Sequence, residues 1–315
     1  MNNICQLCPH KCSLSVGEYG KCKVRKFDGN NFVLDYYGKI TTIAVEPIEK
    51  KPIYHFKPNS KVLSVGGFSC NMSCDFCQNY LISQANKINK YKTLMPDDVI
   101  SLAKEKECSG ICVTFNEPTI YYEYLFDLAK EAHNNGLFFI IKTNGYLCED
   151  PWFSLLSVVD AVNIDYKGNE WYYEKVAGIS SNTYPTILDN IKKALTQTHV
   201  EISIPIHYDY KLEDYNDVFN ILEEKKETPI HLLKIFSVNK NFDPIVQDDV
   251  IFDMRNELLK TFPFVYVQNI FSQKGKDARK TYDPITKEVL INREALKSEI
   301  LVGEDDNNIE KYFTM

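Results

Sequence analysis

The chain has no apolar run approaching the length needed to span a bilayer, and its opening residues, Met1-Asn2-Asn3-Ile4-Cys5, lack the apolar core of a secretory signal. Both absences lead to the expectation of a cytoplasmic protein with no membrane partner. A surplus of positive charge is missing too. Against 36 basic residues stand 43 acidic ones, a net charge of −7, and no basic stripe is clustered, which argues against nucleic acid as a partner. No cysteine follows Cys148, so all ten sit in the first half of the chain. In a reducing cytosol they point to metal binding over disulfides. An apolar content of 44% and a charged content of 25% are ordinary proportions for a chain that buries a sizeable core.

What is present is concentrated in two cysteine groups. Cys70, Cys74 and Cys77 follow a C-x3-C-x2-C spacing, with Phe76 just before the last. They come directly after Val62-Leu63-Ser64-Val65-Gly66-Gly67, which reads as a buried strand. Three thiolates on one loop can hold three irons of a [4Fe–4S] cube and leave the fourth iron to a non-protein ligand. A closed structural zinc site wants four protein ligands, so a group of three is informative. The second group, Cys5-x2-Cys8-x3-Cys12-x9-Cys22, offers four thiolates. It suits either a tetrahedral zinc ion or a second iron–sulfur cluster, since soft sulfur serves both metals. A metal staple is physically reasonable there, because so short a segment cannot bury a core of its own. Cys108, Cys112 and Cys148 are left over and are expected as buried thiols, with Cys148 just past a strand end where it can face the site.

Residues 31 to 45 alternate in a β fashion on either side of Tyr37-Gly38, which predicts a hairpin. From residue 61 onward, short apolar strands alternate with helices. Strands are expected at 110–115, 137–143, 161–165, 201–206 and 231–236, and 264–267 adds a last one. Helices are expected near 96–107, 118–135, 169–177, 185–197, 213–225 and 246–260. In the second of these Ile120, Tyr121, Tyr124, Leu125, Leu128, Ala129 and Ala132 share one face. Such alternation implies an α/β fold with a parallel sheet covered on both faces. The expected divisions are a Cys-rich segment with its hairpin over 1–60, a barrel over 61–270 and an extension over 271–315.

In parallel β/α barrels the chemistry gathers at the C-terminal ends of the strands. Asn116 and Glu117 end the second strand, and a carboxylate and an amide there can grip an ammonium group. Thr143 and Asn144 end the third strand, and Asp165 and Lys167 end the fourth. Asp165 and Lys167 project to one side if that strand runs on through them, so the lysine can pair with a carboxylate and Asp165 can orient it. His207 and His231, beside the fifth and sixth strands, are weaker candidates.

Leu7-Cys8-Pro9-His10-Lys11-Cys12, Val45-Glu46-Pro47-Ile48-Glu49-Lys50-Lys51-Pro52 with Tyr54-His55-Phe56, the cysteine loop through Gln78-Asn79, and Thr114-Phe115-Asn116-Glu117-Pro118-Thr119 form a distinctive set. Together they resemble the radical S-adenosylmethionine (SAM) component of the AmmeMemoRadiSam group, over about residues 4 to 170. More distantly the chain is similar to pyruvate formate-lyase activating enzyme. The resemblance implies a partial (β/α)6 barrel of the radical SAM type, a [4Fe–4S] cluster on Cys70, Cys74 and Cys77, and SAM on the open iron. It also implies Phe76 near the adenine, Asn116 and Glu117 near the methionine amino group, and Thr143, Asn144, Asp165, Lys167 and His231 as further cofactor contacts. Asp165 and Lys167 take a catalytic part by the same analogy. The implied activity is reductive cleavage of SAM to a 5′-deoxyadenosyl radical that abstracts hydrogen from a protein, peptide or small molecule, with flavodoxin or ferredoxin as reductant. A glycyl-radical activating protein is one alternative, and a zinc-stabilised RNA-binding module another. The chain departs from the family pattern in its later half. Pro205-Ile206-His207-Tyr208 stands where a Pro-Gly-Asn-Asp-like turn is usual, and Lys280-Thr281-Tyr282-Asp283-Pro284 where a cysteine pair is common.

Overall fold

Apolar segments too short to be helices, separated by amphipathic ones, leave the chain one economical arrangement, strands side by side with helices packed across them. The computed structural model describes residues 3–85, 87–236, 245–294, 297–301 and 311–315. The strands, in order, are β1 (Arg25–Phe27), β2 (Phe32–Leu34), β3 (Lys39–Ile40), β4 (Thr42–Pro47), β5 (Lys61–Gly66), β6 (Lys92–Thr93), β7 (Gly110–Val113) and β8 (Phe138–Thr143). They continue as β9 (Ala161–Asp165), β10 (His199–Ile206), β11 (Ile230–Lys234), β12 (Val265–Gln268), β13 (Thr281–Tyr282), β14 (Val289–Glu294) and β15 (Lys297–Ile300). The helices are α1 (Tyr80–Ser83), α2 (Pro96–Glu105), α3 (Tyr122–Asn134), α4 (Glu149–Leu156), α5 (Glu170–Lys175), α6 (Pro185–Ala194), α7 (Asn216–Leu222), α8 (Asp248–Leu258) and α9 (Gln273–Asp277).

One eight-stranded sheet dominates, in the order β12-β11-β10-β9-β8-β7-β5-β4. Every pairing from β5 to β12 is parallel, and β4 alone runs antiparallel, at the edge. This is the partial β/α barrel expected, with β12 as a seventh parallel strand. The helix face read from the sequence is the buried face: Tyr124, Leu125, Leu128, Ala129 and Ala132 of α3 are all inaccessible, and Pro118–Tyr121 forms a 3-10 turn ahead of it. α8 also presents one buried face. Val250 is exposed, and Ile251 and Phe252 are buried with Met254 and Leu258.

The hairpin expected over 31–45 does not form. β2 pairs with β1, β3 pairs with β6, and β4 joins the main sheet against β5. The local reason is the turn before β2. There the Asp28 carboxylate accepts the backbone N–H groups of Asn30 and Asn31 at 2.8 Å each, and Gly29 adopts a φ of 108° that favours glycine. The Tyr37-Gly38 turn forms as well, with Lys39 N–H donating to Tyr36 O at 3.1 Å and Gly38 at a φ of 69°, but the strands on its two sides take other partners.

The bottom of the barrel, at the N-terminal ends of the strands, is stopped by a buried polar network. Glu201 of β10 accepts the backbone N–H groups of Tyr54 and His55 at 2.7 Å each, and its other oxygen accepts from His231 Nε2 at 2.6 Å. His231 Nδ1 accepts from Gln268 at 3.1 Å, so the ring is a neutral tautomer with both nitrogens engaged. His55 donates from Nδ1 to the Tyr312 carbonyl at 2.8 Å and accepts at Nε2 from the Tyr266 hydroxyl at 2.6 Å. Thus Tyr54-His55-Phe56 is a plug, tied to β10, β12 and the last residues of the chain.

Burial, only partly opposed by Glu201, holds the His55 imidazole down to about 3, against an ordinary value of 6.5. The unfolded chain therefore binds a proton that the folded chain refuses, and stability is lost as pH falls below 6.5. The slope is about 1.4 kcal/mol per pH unit for one proton. Denaturant unfolding between pH 7 and 4.5 should show this decline, and the variant His55→Gln should show a flatter one. Parallel slopes in the two proteins would assign the acid sensitivity elsewhere.

Candidate functional site

The loop after β5 is pressed onto the neighbouring strand end. A Cβ on Gly66 would lie 2.2 Å from the Thr114 carbonyl oxygen, and one on Gly67 would lie 2.3 Å from the Tyr121 ring. Only glycine fits at either position. Tyr121 Oη accepts from the Phe68 N–H at 3.0 Å, and Ser69 turns the chain with a φ of 66°. The loop then runs under the segment after α5, where Ser73 N–H donates to Ala177 O at 2.9 Å and Asp75 N–H to Val176 O at 3.2 Å. Cys70 Sγ accepts from the Met72 N–H at 3.3 Å, and Cys77 Sγ lies 3.0 Å from Ser83 Oγ.

Cys70, Cys74 and Cys77 line a cavity of about 200 Å³ over the C-terminal ends of the parallel strands. Phe76 lines it from the same loop, as do Asn116, Glu117, Thr143, Asn144, Asp165 and Lys167 from three successive strand ends. The structure thus brings together all the residues expected there except His231, which is fully buried in the plug and forms no part of the cavity wall. Its proximity to β11 in sequence was misleading, because it lies at the start of the strand, at the opposite end of the barrel. Cys148 does not face the cavity either. It caps α4, and its N–H donates to Leu7 O at 2.9 Å, against the N-terminal segment. His207 stacks on Tyr210 with ring centroids 4.9 Å apart and bonds Asp209 at 2.6 Å.

Glu117 organises the strand ends. Its Oε1 accepts from Thr119 N at 3.0 Å, Thr119 Oγ1 at 2.8 Å and Thr143 Oγ1 at 2.6 Å, and its Oε2 accepts from Asn144 N at 2.8 Å. Burial pushes this carboxyl up, and those four donors pull against it. Oε1 is saturated, while Oε2 keeps a free lone pair. Beside it, the buried Oδ1 of Asn116 has no hydrogen-bond partner among the described residues. Two unused acceptors at one cavity wall suit a group that brings donors, such as an ammonium.

Asp165 pairs with Lys142, at 2.6 Å, a partner the sequence analysis did not name. The strand pleat ends at Asp165, and Lys142 on the adjacent β8 reaches it, together with Asn163 Oδ1 at 2.6 Å. Lys142 is the residue sequence reasoning passed over. A charged residue in the otherwise apolar Phe138–Thr143 strand was the available signal, since a buried charge needs a partner. Burial pushes the Asp165 carboxyl up, but Lys142 and Lys167 outweigh it and hold it below its ordinary value. Burial lowers the Lys167 ammonium, and Asp165 and the Cys74 thiol more than restore it, leaving it raised. Its Nζ lies 5.9 Å from the Phe76 ring centroid. Burial pushes the Cys74 thiol up to about 11, against a smaller opposing pull from Lys167, and raises Cys70 well above its ordinary value. These thiols bind metal only by giving up protons.

A parallel β/α barrel with three thiols on the first strand-to-helix loop, sharing a cavity with Asn116 and Glu117, has the features of a cluster-dependent enzyme. Residues 65–222 match the radical SAM superfamily. The chain is 32% identical over 303 residues to an uncharacterised protein of Methanocaldococcus jannaschii, covering 94% of this chain and 89% of that one. It is 18% identical over 205 residues to the 4-hydroxyphenylacetate decarboxylase activating enzyme of Clostridium scatologenes, covering 62% of this chain and 65% of the relative. In fold it is similar to TYW1 with a lysine–pyruvate adduct bound (TM-score 0.50, 18% identity, 68% of this chain and 77% of the other). It is also similar to Streptococcus suis SuiB bound to its precursor peptide SuiA (TM-score 0.52, 13% identity, 70% of this chain and 51% of the other).

The chain belongs to the radical SAM superfamily. It is a radical SAM enzyme, with a [4Fe–4S] cluster and SAM as its cofactors. An RNA-binding module is no longer needed to explain the cysteines. Among the described residues no helix is long and apolar enough to cross a membrane.

Glu117→Gln tests the carboxylate's structural part. The new amide sets a donor against either Asn144 N–H or the Thr119 and Thr143 donors, and leaving one buried donor unmet costs about 1–3 kcal/mol. The thermal midpoint should fall and SAM binding, followed by calorimetry, should weaken. An unchanged midpoint would show that the four hydrogen bonds do not matter.

Proposed function

We propose that Cys70, Cys74 and Cys77 ligate three irons of the [4Fe–4S] cluster and that the fourth iron takes SAM. The observation that carries this reading is the shared cavity, whose wall combines the three cysteines with Asn116, whose Oδ1 is unpartnered among the described residues, and Glu117, whose Oε2 keeps a free lone pair. Those two oxygens are the acceptors for the methionine ammonium. Phe76 offers its ring to the adenine, and Thr143, Asn144, Asp165 and Lys167 serve the polar end of SAM. When bound, the cluster and SAM supply the reductive cleavage that yields methionine and a 5′-deoxyadenosyl radical, which takes hydrogen from the substrate.

This chain's residues bind, orient and exclude water. Asp165, fixed by Lys142, keeps a negative charge at the cavity floor, and Lys167 holds a positive one beside Phe76. In this reading they take the catalytic part, Lys167 meeting a carboxylate and Asp165 orienting it. The electron comes from a flavodoxin or ferredoxin in a cytoplasmic setting. The substrate is a protein, a peptide or a small molecule. The motifs from Leu7 to Thr119 support membership of the AmmeMemoRadiSam group. A second reading, activation of a glycyl-radical enzyme, is supported by the likeness to the Clostridium scatologenes activating enzyme.

Anaerobic reconstitution followed by a 5′-deoxyadenosine assay tests the ligand assignment. Replacing Cys70, Cys74 and Cys77 together by alanine should bring SAM cleavage to background. Cleavage persisting in that variant would refute it. A co-expressed partner acquiring a glycyl radical signal would select the activating role, and a mass change in a peptide or small molecule would exclude it.

A further inference from the structure

The N-terminal segment has little regular structure to hold it. Its four cysteines nevertheless surround one small, almost wholly apolar cavity, walled also by Leu7 and Leu14. Cys5, Cys8 and Cys22 are buried and Cys12 half-buried, and none is in a disulfide. Backbone amides already point at the sulfurs. Burial raises the Cys8 and Cys22 thiols, and His10 N–H on Cys8 and Val24 and Arg25 N–H on Cys22 oppose it in part, while Lys21 N–H lies 3.5 Å from Cys12 Sγ. Such donors stabilise thiolate charge. Lys11 and Lys23 adopt left-handed φ angles of 45° and 58°, a conformation unfavourable for a residue with a side chain. Arg25, buried beside Cys5 and Cys22, is held by both oxygens of Glu123 at 2.5 and 2.6 Å, which fixes a positive charge next to the sulfurs. Among the described residues no three His, Cys, Asp or Glu side chains close on a single point. The four thiols stand around a space instead.

The segment also touches the cluster loop. His10, two residues after Cys8, donates from Nε2 to the carbonyl of Asn71 at 2.6 Å. The Asn71 side chain donates to Tyr146 O at 2.9 Å and accepts from Asn144 Nδ2 at 2.8 Å, and that same nitrogen lies 3.6 Å from Cys70 Sγ. The His10 ring packs edge-on against Tyr146 with centroids 5.1 Å apart. A short run of hydrogen bonds therefore leads from Cys8 to Cys70.

We propose that Cys5, Cys8, Cys12 and Cys22 form a second, fully thiolate-ligated metal centre, and that it positions the Cys70 end of the cluster loop through His10 and Asn71. The ligand chemistry, four soft sulfurs, takes zinc or an iron–sulfur cluster. The positioning role rests on the assignment of Cys70, Cys74 and Cys77 to the SAM-binding cluster, whereas the centre itself does not.

Metal and sulfide are counted in the full-length chain, purified anaerobically, for three proteins: wild type, Cys70→Ser/Cys74→Ser/Cys77→Ser, and Cys8→Ser/Cys22→Ser. The triple variant should retain a metal complement. One zinc would make the centre mononuclear, iron with matching sulfide would make it a cluster, and either result supports it. A triple variant without bound metal overturns the centre. The double variant should lose that complement and keep the iron of the Cys70 loop, and a complement equal to wild type overturns the ligand set. His10→Ala isolates the positioning role without removing a ligand. It should keep both metals, weaken SAM about tenfold, as is typical when an outer hydrogen bond to a metal site is removed, and change the SAM-induced shift in the reduced cluster's electron paramagnetic resonance spectrum. His10→Gln, which retains a donor, should restore both. A His10→Ala protein with the wild-type spectrum and affinity overturns the positioning role. If the wild-type spectrum itself does not respond to SAM, the assignment of the Cys70 loop fails, and the metal count of the triple variant still decides the second centre.

Discussion

The carboxylate of Glu117 is the point on which the upper half of the barrel turns. A buried carboxyl group is tolerable only when donors surround it. The donors it collects come from the start of its own helix and from the end of the next strand, so satisfying one side chain fixes the relative position of two β/α units. Asn144, held by that carboxylate through its backbone, turns its side chain to Asn71 and Cys70 in the cluster loop. The Cys70 thiol, the Glu117 carboxylate and the rim of β8 thus share one hydrogen-bonded frame. Glu201 does the same at the opposite end, gathering Tyr54, His55 and His231 into the plug.

Much of this was legible in the chain. The spacing of Cys70, Cys74 and Cys77 after an apolar strand carries the family, and the alternation of strands with helices carries the sheet, because both signals are local. The polar residues that end β7, β8 and β9 were also placed correctly at one cavity by the rule that strand C-termini hold the site. What misled was everything decided across the barrel. Asp165 and Lys167 share a sequence neighbourhood, but a parallel sheet puts β8 within reach first, so Lys142 takes the carboxylate. His231 opens its strand, and the same rule applied to it places it at the base of the barrel, away from the site. Residues 31 to 45 have the pattern of a hairpin, and a turn does form at Tyr37-Gly38, but β2 pairs back across Asp28-Gly29 and β4 takes the apolar edge of β5.

The N-terminal cysteines show the limit of spacing arguments from the other side. Their number suggested a metal, but not that the segment carrying them lies against the loop that defines the family. Cys148 belongs to that same contact, with its backbone bonded to Leu7. A short, irregular segment packed on a catalytic loop contributes through where it holds its neighbours, as His10 does with the Asn71 carbonyl.

The plug at the base has a further meaning for traffic. Below the cavity the barrel is filled in turn by the Lys142, Asp165, Asn163 and Ser203 cluster and by the Glu201 and His231 layer, with Asn163, Ser203, Glu201 and His231 fully inaccessible. Among the described residues these two layers close the cavity from underneath. Drying the chamber is then a task for whatever covers its mouth, and a substrate broad enough to span the rim is its own lid.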